Sequence, residues 1–571
     1  MRILGINHDM YISSAAIIED GKIIAACTEE RLTREKRTRK FPINAIKFCL
    51  SEAKCTFKDI DHVANSYNPS IHMEKYNPIY SSNRRFRGDY FYHVPDNLFR
   101  LTDGEVRNSK YTRQIIDYGD KELDLYFITH HLCHAANGFY LSPFSEAAVF
   151  TSDGRGEKDT TVFMHAKNNK INIIKSIEIP HSLGSFYSTF TEYLGFNPDS
   201  DEWKVMALSS FAESNNEYYQ KLKDTVFLLE DGTFRLDTSY YNEYVHELPS
   251  LLTEKLIQLI GEPRKKSEEI LQKHYKIASA MQKITEETLV HMLNWLHDQT
   301  GSDNIVLSGG IFMNSVFNGK IKNLTKFKNV FISDSPDDSG LSIGAALYLY
   351  HDIKNKNKRM NNVHNYHGPS YSNDSIKEIL DKYCISYNRV DNIEKETAKL
   401  LSEGNLIAWF QDKMEFGQRA LGNRSILADP RNEHTKDHVN KSIKYRESFR
   451  PFAPAILDEY KTEFFEMDKN EDVMYMEKVY PIKTEKRKLI PAVTHIDGTG
   501  RLQTVKLSTN EKFYKLIDYF RQLTGIPVLL NTSFNLNGEP ICCSPTDAIR
   551  TFYSSGLDVL VLSNFIIKKQ S

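Results

Sequence analysis

Residues 147–179 read AAVFTSDGRGEKDTTVFMHAKNNKINIIKSIEI, and this stretch decides the fold class. Ala147–Ser152 is a short run of apolar and β-favouring residues that stops at Asp153-Gly154, with Gly156 just beyond. Two further strand-like runs follow, TTVFMHA at 160–166 and INIIKSIEI at 171–179, joined by the polar turn KNNK. The same grammar stands at the start of the chain. Arg2–Ile6 (RILGI) is a strand, Asn7-His8-Asp9 a polar turn, and SSAAII at 13–18 meets KIIAAC at 22–27 across Asp20-Gly21. Asp-Gly between two such runs is the strongest short hairpin signal in a sequence, because both positions tolerate positive φ. Two copies of strand, acidic turn, strand, turn and strand indicate an internal duplication.

Helices fill the space around the copies. Ile277, Met281, Ile284, Leu289, Met292 and Leu296 recur at helical spacing within Ser267–Gln299 and predict a long amphipathic helix. Asn304–Leu307 reads as a strand, Gly309-Gly310 as a turn and IFMNSVFNGKI (311–321) as helical; Asn329–Ser333 and Ser339–Tyr350 repeat strand and helix. A polar stretch rich in Asn and Lys from His351 to Ser375 lacks apolar periodicity and breaks the pattern. Beyond it, helices at Ser375–Tyr383 and Ile393–Ser402 alternate with strands at Asn405–Trp409, Pro527–Asn531 and Val559–Ser563. The expected organisation is α/β throughout: a duplicated domain at 1–355, a linker at 356–374 and a second α/β domain at 375–571.

The 571 residues carry 73 Lys and Arg against 75 Asp and Glu, which argues against a general nucleic-acid or anionic-membrane binder. Hydrophobic residues make up 40% and charged residues 26%, so packed cores and not disorder are expected. No run of 18 apolar residues occurs, and the start MRILGINHDM has no signal-peptide pattern. The seven cysteines show no CxxC spacing. Reduced thiols of a cytoplasmic protein fit that pattern.

Three constellations carry chemistry. In His130-His131-Leu132-Cys133-His134, a helix would place His130 and His134 on one face at the spacing that holds a metal ion. Asp153, ending its strand, and Asp338 or its neighbour Asp337 could add carboxylates, a donor set suited to iron, manganese or zinc. The alternative is that the histidines cap or pack the helix. Second, Gly309-Gly310 with Asn314 and Asn318 suits a backbone cradle for an adenosine or a phosphate, or else a tight turn.

Third, the stretch from Arg419 to Arg450 holds eight Lys or Arg against four acids. Arg419, Arg424 and Arg450 sit among Gly and Pro in loop texture, where guanidinium forks grip phosphate. A solvated charged face is the competing reading. Arg501, Gln503 and the LLNTSFN run at 529–535 add amides and hydroxyls of the kind a carbamoyl group needs.

Several stretches in order resemble the O-carbamoyltransferase family of nodulation protein U and the cephamycin and tobramycin carbamoyltransferases. They are MRILGIN, SSAAIIEDGKIIAACTEERLTREKR, HHLCHAANGFY, SDGRGE, HSLGSFYSTFTEYLGF, KVMALS, LSGGIFMNSVFNGKI and DDSGLSIGAAL in the first domain. EFGQRALGNRSILADP, ESFRPFAP, RLQTV and LNTSFNLNGEPI follow in the second. The resemblance implies an N-terminal domain of the actin, Hsp70 and sugar-kinase type, like the Kae-one enzymes of tRNA threonylcarbamoyl transfer. It implies a C-terminal domain like the YrdC synthases.

It further implies two steps. ATP, with magnesium, and carbamoyl phosphate would give carbamoyl-adenylate and pyrophosphate in the C-terminal domain. A hydroxyl of a sugar-like or natural-product acceptor would then take the carbamoyl group in the N-terminal domain, releasing AMP. By the same resemblance His130, His134, Asp153 and Asp338 would hold an iron-like divalent metal. Lys204, Gly309, Gly310, Asn314 and Asn318 would line a nucleotide pocket, and Arg419, Arg424, Arg450, Arg501, Asn531 and Ser533 would bind carbamoyl phosphate and ATP. His8 would be the general base, although here Met10, Tyr11 and Ile12 separate the His-Asp pair from the small-residue run. Gln418, Ala207 and Phe312-Met313 also depart from the family pattern. A small-molecule kinase of the same fold is the alternative, and a tRNA-modifying transferase a third.

Overall fold

The computed structural model describes residues 1–68, 110–119, 121–242, 250–359, 364–444 and 452–569. Arg450, and all but the ends of the Asn68–Lys121 stretch that could face an acceptor, lie outside these residues. The chain packs as two units. The first comprises Met1–Glu29, Arg39–Met313 and Ile321–Asn362, and the second Glu30–Thr38, Asn314–Lys320 and Val363–Ser571.

The division is therefore not a single cut near residue 355. Two short segments of the expected first domain, Glu30–Thr38 and Asn314–Lys320, belong to the second unit, and the expected linker is shared out. Lys356 donates its N–H to Tyr350 O in the first unit, while Asn365 exchanges hydrogen bonds with Phe416 in the second. Polar composition marked a surface crossing there, and backbone groups that would otherwise be lost to water are tied to each unit in turn.

The first unit contains two sheets of one design. In one, β1 (Arg2–Asn7), β2 (Ser14–Glu19) and β3 (Lys22–Thr28) form an antiparallel meander. β4 (His62–Asn65) and β6 (Glu122–Ile128) extend it in parallel from β1, and β5 (Tyr111–Asp117) closes the far edge. In the other, β7 (Glu146–Ser152), β8 (Asp159–Lys167) and β9 (Lys170–Glu178) repeat the meander. β10 (Val226–Leu228) and β11 (Phe234–Leu236) make a separate hairpin. β12 (Asn304–Ser308) and β13 (Asn329–Ile332) then continue the second sheet in parallel from β7. The orders β3-β2-β1-β4-β6 and β9-β8-β7-β12-β13 are the same order twice, which is the duplication read from the turns.

The core strands are almost wholly buried, as expected of parallel strands covered on both faces. The helices His130–Phe139 and Leu341–Tyr348 pack closely against each other. A Cβ at Gly344 would lie 1.9 Å from Cys133 O, so only glycine permits that approach. The long helix runs Gln272–Thr300 and ends at Gly301 in the left-handed conformation. Residues 311–321 are not one helix. They break into a turn at Gly310–Met313 and one helical turn at Ser315–Asn318, which Asn314 caps; a Cβ on Gly319 would lie 2.0 Å from Val479 O.

The second unit is built on an eight-stranded sheet; β14 (Asn388–Arg389), β23 (Phe565–Lys568) and β22 (Val559–Leu562) lie at one side, and the order continues β15-β16-β21-β17-β20. Its central strands are β15 (Ile407–Phe410), β16 (Arg424–Ala428), β21 (Val528–Ser533) and β17 (Ala453–Leu457). β20 is Gln503–Val505, and the small β18–β19 pair (Val479–Pro481, Thr499–Arg501) stands apart. The helix Glu511–Thr524 contributes Phe513, Leu516, Ile517 and Phe520 to the core, together with the buried Trp409. Among the described residues no helix is long and apolar enough to cross a membrane, and the seven cysteines are all free.

Candidate functional site

In the first unit the helix His130–Phe139 begins immediately after β6 and is buried along its whole length. Glu157 holds its N-terminus: the carboxylate accepts the His130 N–H at 3.0 and 3.2 Å. At the other end the Arg359 guanidinium donates to the carbonyls of Phe139, Ser142 and Phe144. An anion at the N-terminus and a cation at the C-terminus both complement the helix dipole.

His130 and His134 sit one turn apart, with Nε2 atoms 3.1 Å from each other. Asp153 arrives at the end of β7, its Oδ2 2.9 Å from His134 Nε2 and 3.6 Å from His130 Nε2. Asp338 completes the group at 3.5 and 3.7 Å. Four donor atoms, one from each residue, thus lie within 4.8 Å of one another. Metal–ligand bonds of about 2.1 Å place neighbouring ligands about 3.0–3.5 Å apart. The donor set and its spacing fit a divalent ion such as iron, manganese or zinc.

Charge agrees with convergence. Burial works to depress His134, but hydrogen bonds and charge from Asp153 and Asp338 outweigh it and lift the group to about 9. Burial also pushes Asp153 up, yet the two histidines hold it well below the usual carboxylate range. His131 is different. Its Nδ1 meets Thr151 Oγ1 at 2.9 Å and its Nε2 meets Asp159 O at 2.8 Å, while burial drives it down to about 3. His131 is a neutral packing residue between two metal-spaced histidines.

The His8 loop is tied to the same cluster. Asn7 Nδ2 donates to Asp338 O at 3.0 Å, and the Tyr11 N–H donates to Asp338 Oδ2 at 3.2 Å. Between these anchors His8 Nδ1 pairs with Asp9 Oδ2 at 2.7 Å. The extra residues after the His-Asp pair therefore supply an anchor. Gly309 also lies at this end of the second sheet. Its φ is +102°, and a Cβ would fall 2.1 Å from Ser152 O; a Cβ on Gly310 would meet Asp153 Oδ1 at 2.8 Å.

The rest of the expected nucleotide set divides. Asn314 Oδ1 accepts the Phe317 N–H as a helix cap, and Asn318 Nδ2 donates to Glu477 O, both inside the second unit. Lys204, on the helix Glu202–Leu208, lies 3.2 Å from Asp201 Oδ2 and 5.1 Å above the Phe196 ring.

In the second unit, Glu415 gathers the turn after it. Glu415 Oε1 accepts the N–H groups of Leu421, Asn423 and Arg424 at 2.7, 2.6 and 3.3 Å. Asn531 Nδ2 donates to Ala420 O at 3.2 Å and to Gln503 Oε1 at 2.8 Å, and Gln503 Nε2 donates to Leu421 O at 3.0 Å. This amide chain joins the Arg419-bearing turn, β20 after Arg501, and β21 up to Ser533. Arg419, Arg501 and Ser533 are all half-buried around it.

Asn531 is 1% exposed, and its Oδ1 has no partner among the described residues. A buried amide oxygen left open costs free energy unless something donates to it.

Arg424 corrects the expectation of a phosphate ligand. Its side chain is fully buried, and it donates to the carbonyls of Gln411, Asp412, Asn423 and Pro369 above the Phe410 ring. Both Nη atoms are spent on backbone, while the buried Nε has no partner among the described residues. Glu157 and Glu415 were absent from the sequence-derived site, although each stands in a stretch that carries the family resemblance, SDGRGE and EFGQRALGNRSILADP.

The Carbamoyltransferase N-terminus family model matches residues 2–347, and the Carbamoyltransferase C-terminus model matches residues 398–569. An uncharacterized protein of Synechocystis sp. is 37% identical over 99% of this chain and 96% of its own length. Nodulation protein NolNO of Sinorhizobium fredii is 32% identical over 99% of this chain and 80% of its own. Nodulation protein U of the same species is 24% identical, covering 94% of each. Both halves of the chain and both groups of convergent residues fall inside these matches, and the chain belongs to the carbamoyltransferase family, as a transferase of the nodulation protein U type.

Proposed function

We propose that the chain is an ATP-dependent O-carbamoyltransferase working in two steps. ATP with magnesium, carbamoyl phosphate and one water give carbamoyl-adenylate, pyrophosphate and inorganic phosphate. The hydroxyl of a sugar-like or natural-product alcohol then attacks the carbamoyl carbon, AMP leaves, and the hydroxyl proton passes to a base.

The observation that carries this reading is Asn531. Its Nδ2 is committed to Ala420 O and Gln503 Oε1, so the buried Oδ1 is left as a fixed acceptor. A carbamoyl NH2 has the donors to fill it. Arg419 and Arg501 beside it would turn their forks to the phosphate end, and Ser533, whose hydroxyl donates to Asn535 Oδ1 at 2.7 Å, would exchange that partner for the ligand. Arg450, outside the described residues, is retained for the same role on family resemblance.

In the first unit His8 is the proposed general base. Asp9 accepts from Nδ1 and so presents Nε2 as the proton acceptor, as a carboxylate does for a catalytic imidazole. Gly309 and Gly310 are proposed to let a nucleotide approach the backbone, with Lys204 facing its phosphate. A divalent, iron-like ion held by His130, His134, Asp153 and Asp338 would supply Lewis acidity toward an adenylate phosphate.

The test is pyrophosphate release by the full chain with ATP and carbamoyl phosphate, against controls lacking each. Release that needs both, followed by AMP formation with an acceptor, is expected. Formation of ADP with no need for carbamoyl phosphate would replace this reading with the kinase.

A further inference from the structure

Residues Glu30–Thr38 leave the first unit and pack entirely within the second. Three side chains fasten this strap. Arg31 Nη2 donates to Gly417 O at 2.9 Å while its Nη1 pairs with Glu30 Oε1 at 3.0 Å; both side chains are buried. Leu32 packs onto the apolar group Met414, Ala420, Ile541 and Cys543. Arg34 donates to Ile541 O at 2.6 Å and Pro540 O at 2.8 Å. Glu30 Oε2 accepts the Arg37 N–H at 2.9 Å and closes the strap on itself.

Gly417 opens the turn that carries Arg419, and its φ of +92° is one that a residue with a side chain rarely adopts. Three carbonyls of this turn are held from outside it: Gly417 by Arg31, Ala420 by Asn531, and Leu421 by Gln503 and the Tyr366 hydroxyl. Two of the four holders, Asn531 and Gln503, are the amides bonded to each other that leave the Asn531 Oδ1 open. Arg31 alone comes from the first forty residues of the chain. Burying a guanidinium is expensive unless it is paired and hydrogen-bonded, and here Glu30 supplies the pair and Gly417 O the hydrogen bond.

We propose that Arg31 is a positioning residue of the anion site in the second unit. Its guanidinium fixes the Gly417 carbonyl and thereby aims the Arg419 fork at the phosphate of a phosphorylated carbamoyl donor. The naming of that ligand rests on the function proposed above; the positioning of the turn does not.

The experiment uses the full chain with Arg31→Ala, Arg31→Lys and Arg34→Ala. Arg31→Ala is expected to raise the carbamoyl phosphate KM for pyrophosphate release about tenfold, the worth of one charged hydrogen bond, with kcat held within about twofold. Arg31→Lys keeps one donor without the fork and is expected at about threefold. Arg34→Ala loosens the far end of the strap and is expected to lower Tm with little change in that KM.

Equal KM rises in Arg31→Ala and Arg34→Ala would overturn the proposal in favour of a purely structural strap. An unchanged KM in a folded Arg31→Ala would do the same. Should Arg31→Ala fail to fold, Arg31→Lys decides alone, and a wild-type KM there overturns the proposal.

Hydrogen exchange of amides 417–421 gives a readout independent of turnover. Faster exchange there in Arg31→Ala, and not in Arg34→Ala, is expected. If wild type releases no pyrophosphate, the proposed function fails on its own, and Arg31 is judged by this exchange and by calorimetric binding of carbamoyl phosphate. Unchanged exchange would then overturn the positioning role.

Discussion

The Glu157 carboxylate and the His130 N–H meet at 3.0 and 3.2 Å, at the first residue of the helix that carries both metal-spaced histidines. The same Oε1 accepts the Asn68 N–H at 2.8 Å, so one buried carboxylate fixes the helix start and the chain after β4. Glu157→Gln keeps the size and loses the charge and one acceptor. We expect metal affinity, read by cobalt or zinc titration, to fall about tenfold, as is usual for residues that orient a ligand. The accompanying loss of stability should be about 1 kcal/mol, the usual worth of a capping carboxylate. An unchanged affinity would mean that the helix start has no hold on the two imidazoles.

His131 and His134 should separate packing from binding. His131 is neutral and uses both ring nitrogens inside the protein. His131→Ala is expected to cost about 3 kcal/mol through a cavity and two lost hydrogen bonds, leaving metal stoichiometry intact. His134→Ala should abolish stoichiometric metal, and it also costs stability, because Asp153 and Asp338 lose the cation that pairs with them. Metal analysis and urea unfolding of the two variants check the pair. The reverse pattern would exchange their roles.

Much of this site is legible from local spacing. His130 and His134 are i and i+4, and Asp153 stands where a strand pattern stops, so local periodicity places three of the four donors. The repeated acidic turns likewise announce the two sheets. Arg424 was not legible: loop texture and charge are the same for an arginine that grips phosphate and one that ties down carbonyls. Only tertiary burial distinguishes them. The two excursions, Glu30–Thr38 and Asn314–Lys320, were hidden for a similar reason, since partners hundreds of residues away leave no periodicity behind. Glu157 and Glu415 bond backbone N–H groups, and the groups they satisfy carry no residue identity.

Arg424 and Arg501 should therefore behave as opposites. Arg424→Ala takes the guanidinium from four backbone carbonyls, of which Asn423 O and Pro369 O keep a backbone N–H, and it empties a fully buried volume; it is expected to destabilise the second unit by about 3 kcal/mol. Arg501→Ala, at a half-buried position, should fold normally and lose carbamoyl-phosphate-dependent pyrophosphate release. Circular dichroism melting alongside the release assay separates the two. A folded Arg424→Ala that had lost only anion affinity would return it to the ligand set.

Asp334 offers a prediction in pH. It follows β13, is 8% exposed, and accepts from Ser335 Oγ at 2.9 Å through Oδ1, while Oδ2 has no partner among the described residues. Burial raises its pKa from 3.8 to about 6 despite those hydrogen bonds. The folded protein thus holds this proton more tightly than the unfolded chain does. Stability from this group is complete below about pH 4, falls as pH rises to about 6, and is level above, a total of about 3 kcal/mol. Asp334→Asn removes the titration and keeps a carbonyl oxygen to accept from Ser335. The variant should match wild type near pH 4 and be more stable at pH 8, by up to about 3 kcal/mol less whatever the weakened hydrogen bond had contributed. Urea midpoints for the first unit at pH 4.5, 6 and 8 measure this directly. Parallel curves for variant and wild type would show that Asp334 is ionised in the folded state at every pH tested.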